Sequence, residues 1–248
     1  MSAADSPQTP ATPSPEFPAG GFAQYRRILR HSVVYGLGNL ASRLVGFLLL
    51  PLYTRVLTTQ EYGVLAIVNV SLALLTTVLN VGMTSALFRE YFRADSARSR
   101  EHVIAGAFFF LTLVSAASAV AGWFSADAIS RLLFGVADYI PHVRVAFVGL
   151  FFEIGLFTPR SLLRARELSG RFALVAAGRL VINLTLNIIF VAHLELGVFG
   201  VLLGNALSGA AMYIILLPTV LRRLRHGFSG TVLRRLLAFG GPLMPAML

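Results

Sequence analysis

Residues 62–88 read YGVLAIVNVSLALLTTVLNVGMTSALF, twenty-seven in a row without a charge. The hydrocarbon core of a bilayer is about 30 Å thick, and a helix rising about 1.5 Å per residue needs roughly 20 residues to cross it. A run of this length and composition is read as a membrane span. Working outward, comparable runs cover Ser32–Tyr53 (interrupted by Arg43), Val103–Phe124, Val143–Thr158 (interrupted by Glu153), Phe172–Ala192 (interrupted by Arg179) and Leu196–Leu221. The expected architecture is therefore all-α: a polytopic membrane bundle of six transmembrane helices plus the start of a seventh. That seventh run, residues 236–248, is too short to cross and is crowded by Gly240, Gly241, Pro242 and Pro245. It reads as the opening turns of a truncated span.

Composition points the same way. Of 248 residues, 56% are hydrophobic and only 13% are charged, against about 25% charged in an ordinary soluble domain. Mean hydropathy is +0.74. A soluble globule of this size needs a charged skin that is missing here. There is no cysteine, which excludes disulfides, Fe–S clusters and Cys-ligated zinc.

All 21 basic residues are arginine, and their placement fixes a topology. Sixteen fall in the segments before span one, between spans two and three, between four and five, and after six. Arg55, Arg131 and Arg144 are the three on the opposite side, and Arg43 and Arg179 sit within spans. Basic residues concentrate in cytoplasmic loops, so the N-terminus is expected in the cytoplasm. An arginine excess spent on topology is poor support for nucleic-acid binding, and no nucleic-acid partner is expected. Along the chain, residues 1–21 form a Pro-rich tail expected to be disordered, and 22–31 a basic interfacial helix carrying Arg26, Arg27 and Arg30. Residues 32–221 form the six-span lobe, 222–235 a basic cytoplasmic loop and 236–248 the seventh-span stub.

Ionisable groups at membrane depth cost about 2.5–3.5 kcal/mol on insertion scales and mark function by default. Arg43 lies near the midplane of span one, with Asn39 and Tyr35 one and two turns before it. Span five repeats the arrangement with Arg179, Asn183 and Asn187 at steps of four. Span two sets Asn69, Thr76 and Asn80 on one stripe, and Glu153 sits in span four at a depth similar to Arg43. One reading is a polar, net-positive cavity in which Arg43 and Arg179, with Asn39, Asn183 and Asn187, hold a phosphate or diphosphate through bidentate hydrogen bonds, while Asn69 and Asn80 line it. The other is structural: Glu153 neutralises Arg43 or Arg179, and the Asn residues join helices. Glu153 has a third possible role, exchanging a proton during transport. Gly38, Ser42 and Gly46, and likewise Gly200, Gly204 and Ser208, recur every four residues and mark close helix packing.

Soluble-site chemistry is missing. The five histidines show no metal-ligand spacing to one another, no serine occupies a nucleophile elbow, and no second acidic residue shares the depth of Glu153. Neither catalysis, a cofactor nor a metal is expected.

The run Gly38-Asn39-Leu40-Ala41-Ser42-Arg43-Leu44-Val45-Gly46-Phe47, then Pro51-Leu52-Tyr53-Thr54-Arg55-Val56-Leu57 and Glu61-Tyr62-Gly63, resembles the first span and outer loop of Wzx-type bacterial polysaccharide flippases. These belong to the multidrug/oligosaccharidyl-lipid/polysaccharide exporter superfamily. Asn80-Val81-Gly82-Met83 with Ala86-Leu87-Phe88-Arg89 is similar to the end of their second span, and Leu237–Pro245 to the start of their seventh. The resemblance implies one lobe of a two-lobe, twelve- to fourteen-span protein. It also implies movement of undecaprenyl-diphosphate-linked oligosaccharide across the bacterial inner membrane by alternating access, with Arg43 meeting the diphosphate. Lipid-linked oligosaccharide, membrane lipid, and the glycosyltransferases and polymerase of the same pathway are the partners it suggests. A cation-coupled drug antiporter using Glu153, and a non-transporting scaffold of a polysaccharide-synthesis complex, are the alternatives. The antiporter reading needs an acidic cavity, yet arginine outnumbers glutamate two to one at that depth.

Overall fold

The computed structural model describes residues 47–224, 227 and 229–243, and every regular element among them is helical. The tail 1–21, the basic segment 22–31 and most of span one, Asn39 and Arg43 included, lie outside the described residues. The helices are α1 (Phe47–Val56), α2 (Thr59–Asn80), α3 (Met83–Arg93), α4 (Ala97–Phe124), α5 (Ala126–Phe134), α6 (Ile140–Gly155), α7 (Phe157–Ala165), α8 (Ser169–Asn187), α9 (Gly197–Leu221) and α10 (Gly230–Leu243). A π-helical turn, Ile188–His193, follows α8. Five stretches are long and apolar enough to cross a membrane: Thr59–Arg93, Ala97–Phe124, Ile140–Ala165, Ser169–His193 and Gly197–Leu221.

Local chemistry sets the boundaries. Thr58 opens α2 with a capping box: the Glu61 N–H donates to Thr58 Oγ1 at 3.3 Å, and the Thr58 N–H donates to Glu61 Oε2 at 2.9 Å. The uncharged run quoted above continues into α3, but it is bent where Val81 and Gly82 take positive φ of 45° and 61°. Gly82 tolerates that backbone; Val81 is held there against a steric preference. α10 crosses at this bend, and a Cβ on Gly240 would collide with the Val81 carbonyl.

The structure extends two expected boundaries. Span four was expected to end at Thr158. Instead α7 continues the rod to Ala165, because Pro159 sits in the first turn of the new helix, where its missing N–H is tolerated. The bend at Leu156 is the cost, and Arg160 becomes part of the rod rather than of a loop. Similarly, α10 begins at Gly230, inside the stretch 222–235 expected to be a loop. Val232, Leu233, Leu236 and Leu237 pack on the core while Arg234 and Arg235 stay exposed, an amphipathic pattern that favours helix.

Two apolar clusters hold the bundle together. One joins Met83, Leu87, Ile104, Leu111, Ile154, Leu162, Phe172, Tyr213, Leu216 and Leu236. The other joins Val64, Leu65, Val68, Ala146, Val191, Val198 and Leu202. On α8 the residues between Phe172 of the first and Val191 of the second include Arg179, Asn183 and Asn187. On α9 the residues between Leu202 and Met212 include Asn205 and Ser208. A polar belt thus lies between the two cores. Phe47, Val70, Leu113, Leu174 and Ile214 are largely exposed, as lipid-facing side chains are.

Arg160 leaves the loop count for the rod, where it pairs with Glu153, while other arginines of the count gather at two ends. At one end Arg223 pairs with Glu101 at 3.5 Å, Arg89 covers the Phe239 ring and Arg164 lies over Phe88 and Phe172. At the other, Arg131 pairs with Asp127 and Arg144 covers Trp123.

Candidate functional site

The belt is built around Glu153. Its Oε1 accepts from Arg179 Nη1 at 3.1 Å and from Arg160 Nη1 at 3.2 Å, and its Oε2 accepts from Arg179 Nη2. Arg179 therefore grips the carboxylate with both ends of its fork, whereas Arg160 touches one oxygen. Side-chain exposure is 34% for Glu153, 25% for Arg179 and 22% for Arg160. Two guanidiniums face one carboxylate, so the cluster carries a formal charge of +1.

Two cavities meet at this cluster. One, of about 360 Å³, is lined by Tyr53, Asn69, Glu153, Arg179, Asn183 and Asn205 among others. The second, of about 240 Å³, reaches toward Thr76 and Gly149 and shares Glu153, Arg179 and Asn205. The ion pair thus forms a wall common to both, with open space beside Arg179.

Beside it runs an amide ladder. Asn183 Nδ2 donates to Asn205 Oδ1 at 2.8 Å and to Ser208 Oγ at 3.0 Å. Asn187 Nδ2 donates to Asn183 O at 2.9 Å, and Tyr53 OH donates to Asn187 Oδ1 at 2.8 Å. The small-residue stripe on α9 makes this possible: a Cβ on Gly204 would stand 3.0 Å from Asn187 Nδ2. The stripe is the α8–α9 seam.

The candidate residues separate accordingly. Arg179, Asn183, Asn69 and Glu153 come together at the larger cavity. Asn187 does not line it; fully buried, it joins α1 to α8, which is the helix-joining alternative. Asn80 lies away from both cavities, donating to Thr84 Oγ1 at 3.3 Å beside the Val81–Gly82 bend. Arg43 and Asn39 lie outside the described residues. Three participants escaped the sequence reading: Arg160, Asn205 and Tyr53. For Arg160 the available signal was its spacing of seven from Glu153, two helical turns.

A family model described as polysaccharide biosynthesis protein matches residues 52–248. The chain belongs to that family. A protein of the Lsg locus of Haemophilus influenzae is 32% identical over 111 residues, covering 45% of this chain and 27% of its own length. Among solved structures, a MOP superfamily transporter from Pyrococcus furiosus, described as having a binding pocket of reverse polarity, superposes with a TM-score of 0.74 at 19% identity. It is matched over 89% of this chain and 52% of that one. An outward-facing multidrug resistance MATE family transporter gives 0.73 at 18% identity, over 89% and 52%. At these identities the likeness is one of fold, and the chain spans about half the length of these transporters. It has the fold of one lobe of such an exporter.

Proposed function

We propose that this lobe forms half of a translocation path for lipid-linked oligosaccharide, and that Arg179 recognises the diphosphate in the belt cavity, with Arg160 supplying the cluster's residual positive charge through Glu153. The observation that carries the reading is the composition of that wall. At that wall the Glu153 carboxylate is gripped by Arg179, and Arg160, which lines neither cavity, adds a second guanidinium to it, so the cluster carries a residual positive charge next to open space. In a medium of low dielectric, a phosphate oxygen is the natural partner for a bidentate arginine. Family membership supports polysaccharide biosynthesis as the setting. Asn69, Asn183 and Asn205 offer amides for phosphate or sugar oxygens, and Arg43 and Asn39 remain part of the proposal. The belt binds and orients; it supplies no nucleophile or acid–base pair, so the role is transport rather than catalysis. We place the protein in the bacterial inner membrane with its N-terminus cytoplasmic, on the strength of the arginine asymmetry, with the pathway's glycosyltransferases and polymerase as partners.

The test uses cells whose polysaccharide export depends on the full-length protein. R179Q and R160Q are each expected to lower surface polysaccharide at least tenfold while lipid-linked precursor accumulates. Unchanged polymer with no precursor build-up overturns the proposal. MATE transporters share the fold, which favours a drug-antiport reading to that extent, but a cluster of net charge +1 beside the cavity disfavours cationic drugs. Efflux of a cationic dye that collapses in E153Q would support antiport instead.

A further inference from the structure

A third cavity, of about 520 Å³, lies at the arginine-rich end, between α3, the start of α4 and α10. Arg89 and Arg93 of α3 and Arg235 of α10 line it, with Glu90, Asp95 and Phe239. It shares no residue with the belt. We propose that this cleft is a binding site for the phosphate-bearing headgroup of a membrane lipid.

Four observations carry the assignment. First, depth: Arg89 is the first charge after the uncharged run that ends at Phe88, which puts the cleft where the apolar span gives way to the headgroup layer. Second, availability: none of Arg89, Arg93 and Arg235 is in an ion pair among the described residues, so their donors are not committed to a protein carboxylate. Third, preorganisation: the Arg89 guanidinium stands 4.0 Å over the centroid of Phe239. Stacking of this kind orients the cation while leaving its in-plane N–H groups free for a bidentate contact. Fourth, amphipathy: Val103, Val232, Ala238 and Phe239 line the cleft with the guanidiniums, so an apolar wall stands where an acyl chain leaves its headgroup.

The charge count sets the ligand class. Three guanidiniums and two carboxylates sum to +1, which one phosphodiester monoanion neutralises. Glu90 and Asp95 then accept from a hydroxyl or ammonium on the same headgroup. The cleft's position between helices at the basic end matches the way intramembrane proteins hold acidic lipid headgroups. The same chemistry is available from two sources, a glycerophospholipid of the bilayer or an isoprenoid diphosphate.

The full chain in detergent, examined by native mass spectrometry, separates them. It is titrated with phosphatidylglycerol, phosphatidylcholine and farnesyl diphosphate. Wild type is expected to retain phosphatidylglycerol, and R89Q/R235Q to retain it at least tenfold less, with R131Q, at the opposite end, unchanged. Should loss of the Arg89–Phe239 contact disturb folding, R93Q/R235Q repeats the measurement with two exposed side chains. Farnesyl diphosphate retained through this cleft is weakened by R89Q/R235Q and indifferent to R179Q, which would make the isoprenoid diphosphate the source. Diphosphate lost only in R179Q reports the belt alone. Retention of both phosphate ligands unaffected by R89Q/R235Q and by R93Q/R235Q, or equal to that of phosphatidylcholine, overturns the cleft whatever the fate of the belt.

Discussion

Glu153 is the residue on which the belt's electrostatics turn. Removing its charge leaves Arg160 and Arg179 facing each other without a counter-ion, and breaking one side of a buried pair costs more than the pair contributes when intact. All three side chains keep some exposure, so E153Q is expected to destabilise by roughly 2 kcal/mol, below the 3–5 of a fully buried pair. Thermal unfolding in detergent measures this, and the informative comparison is E153Q/R179Q. Deleting both members removes the like-charge contact, so the double variant should melt above E153Q alone. Equal melting would mean that the charges are fully solvated and uncoupled. Arg179 and Glu153 were legible in the sequence because a charge within an apolar run has no ordinary place to go. Arg160 was not, because a charge after a proline reads as the end of a span.

At the scale of elements, the α8–α9 seam shows how much spacing alone conveys. Gly200, Gly204 and Ser208 announce a close contact but not its partner. The structure supplies it: Gly204 meets Asn187, and Ser208 accepts from Asn183. A branched side chain at 204 enters a space with no slack, so G204V is expected to cost about 1–3 kcal/mol as overpacking and to disturb the Tyr53–Asn187 hydrogen bond. G170A, on α8 and with nothing within 4 Å of the added Cβ, should not lower the melting temperature, since Ala favours helix over Gly. A G204V protein that melts like wild type would place the seam elsewhere. Runs of uncharged residues revealed the spans themselves, since desolvation cost is summed over the segment. Breaks within them were less legible: Pro159 sits in the first turn of a helix here rather than ending one, and at the Val81–Gly82 bend the chain packs closely against Gly240 of α10, a contact no single span encodes.

Across the whole molecule, the two-core arrangement was not legible, because which apolar faces meet depends on helix order and crossing, and no single span encodes that. The grouping of loops at two ends was, because each arginine-bearing segment is tied to its neighbours through an even number of crossings. That grouping turns into a sided prediction. The chain has no cysteine, so single-cysteine variants report without background. Ala97 is exposed at the arginine-rich end, at the start of α4, and Val136 is 45% exposed at the opposite end, between α5 and α6. With the basic end in the cytoplasm, V136C in intact cells should react with a membrane-impermeant maleimide, while A97C reacts only after the membrane is opened. The reverse pattern would invert the topology, put the headgroup cleft in the outer leaflet, and require oligosaccharide to approach the belt from the other side. Reaction of both in intact cells would mean that the loops do not lie on opposite faces, and the spans would have to be recounted.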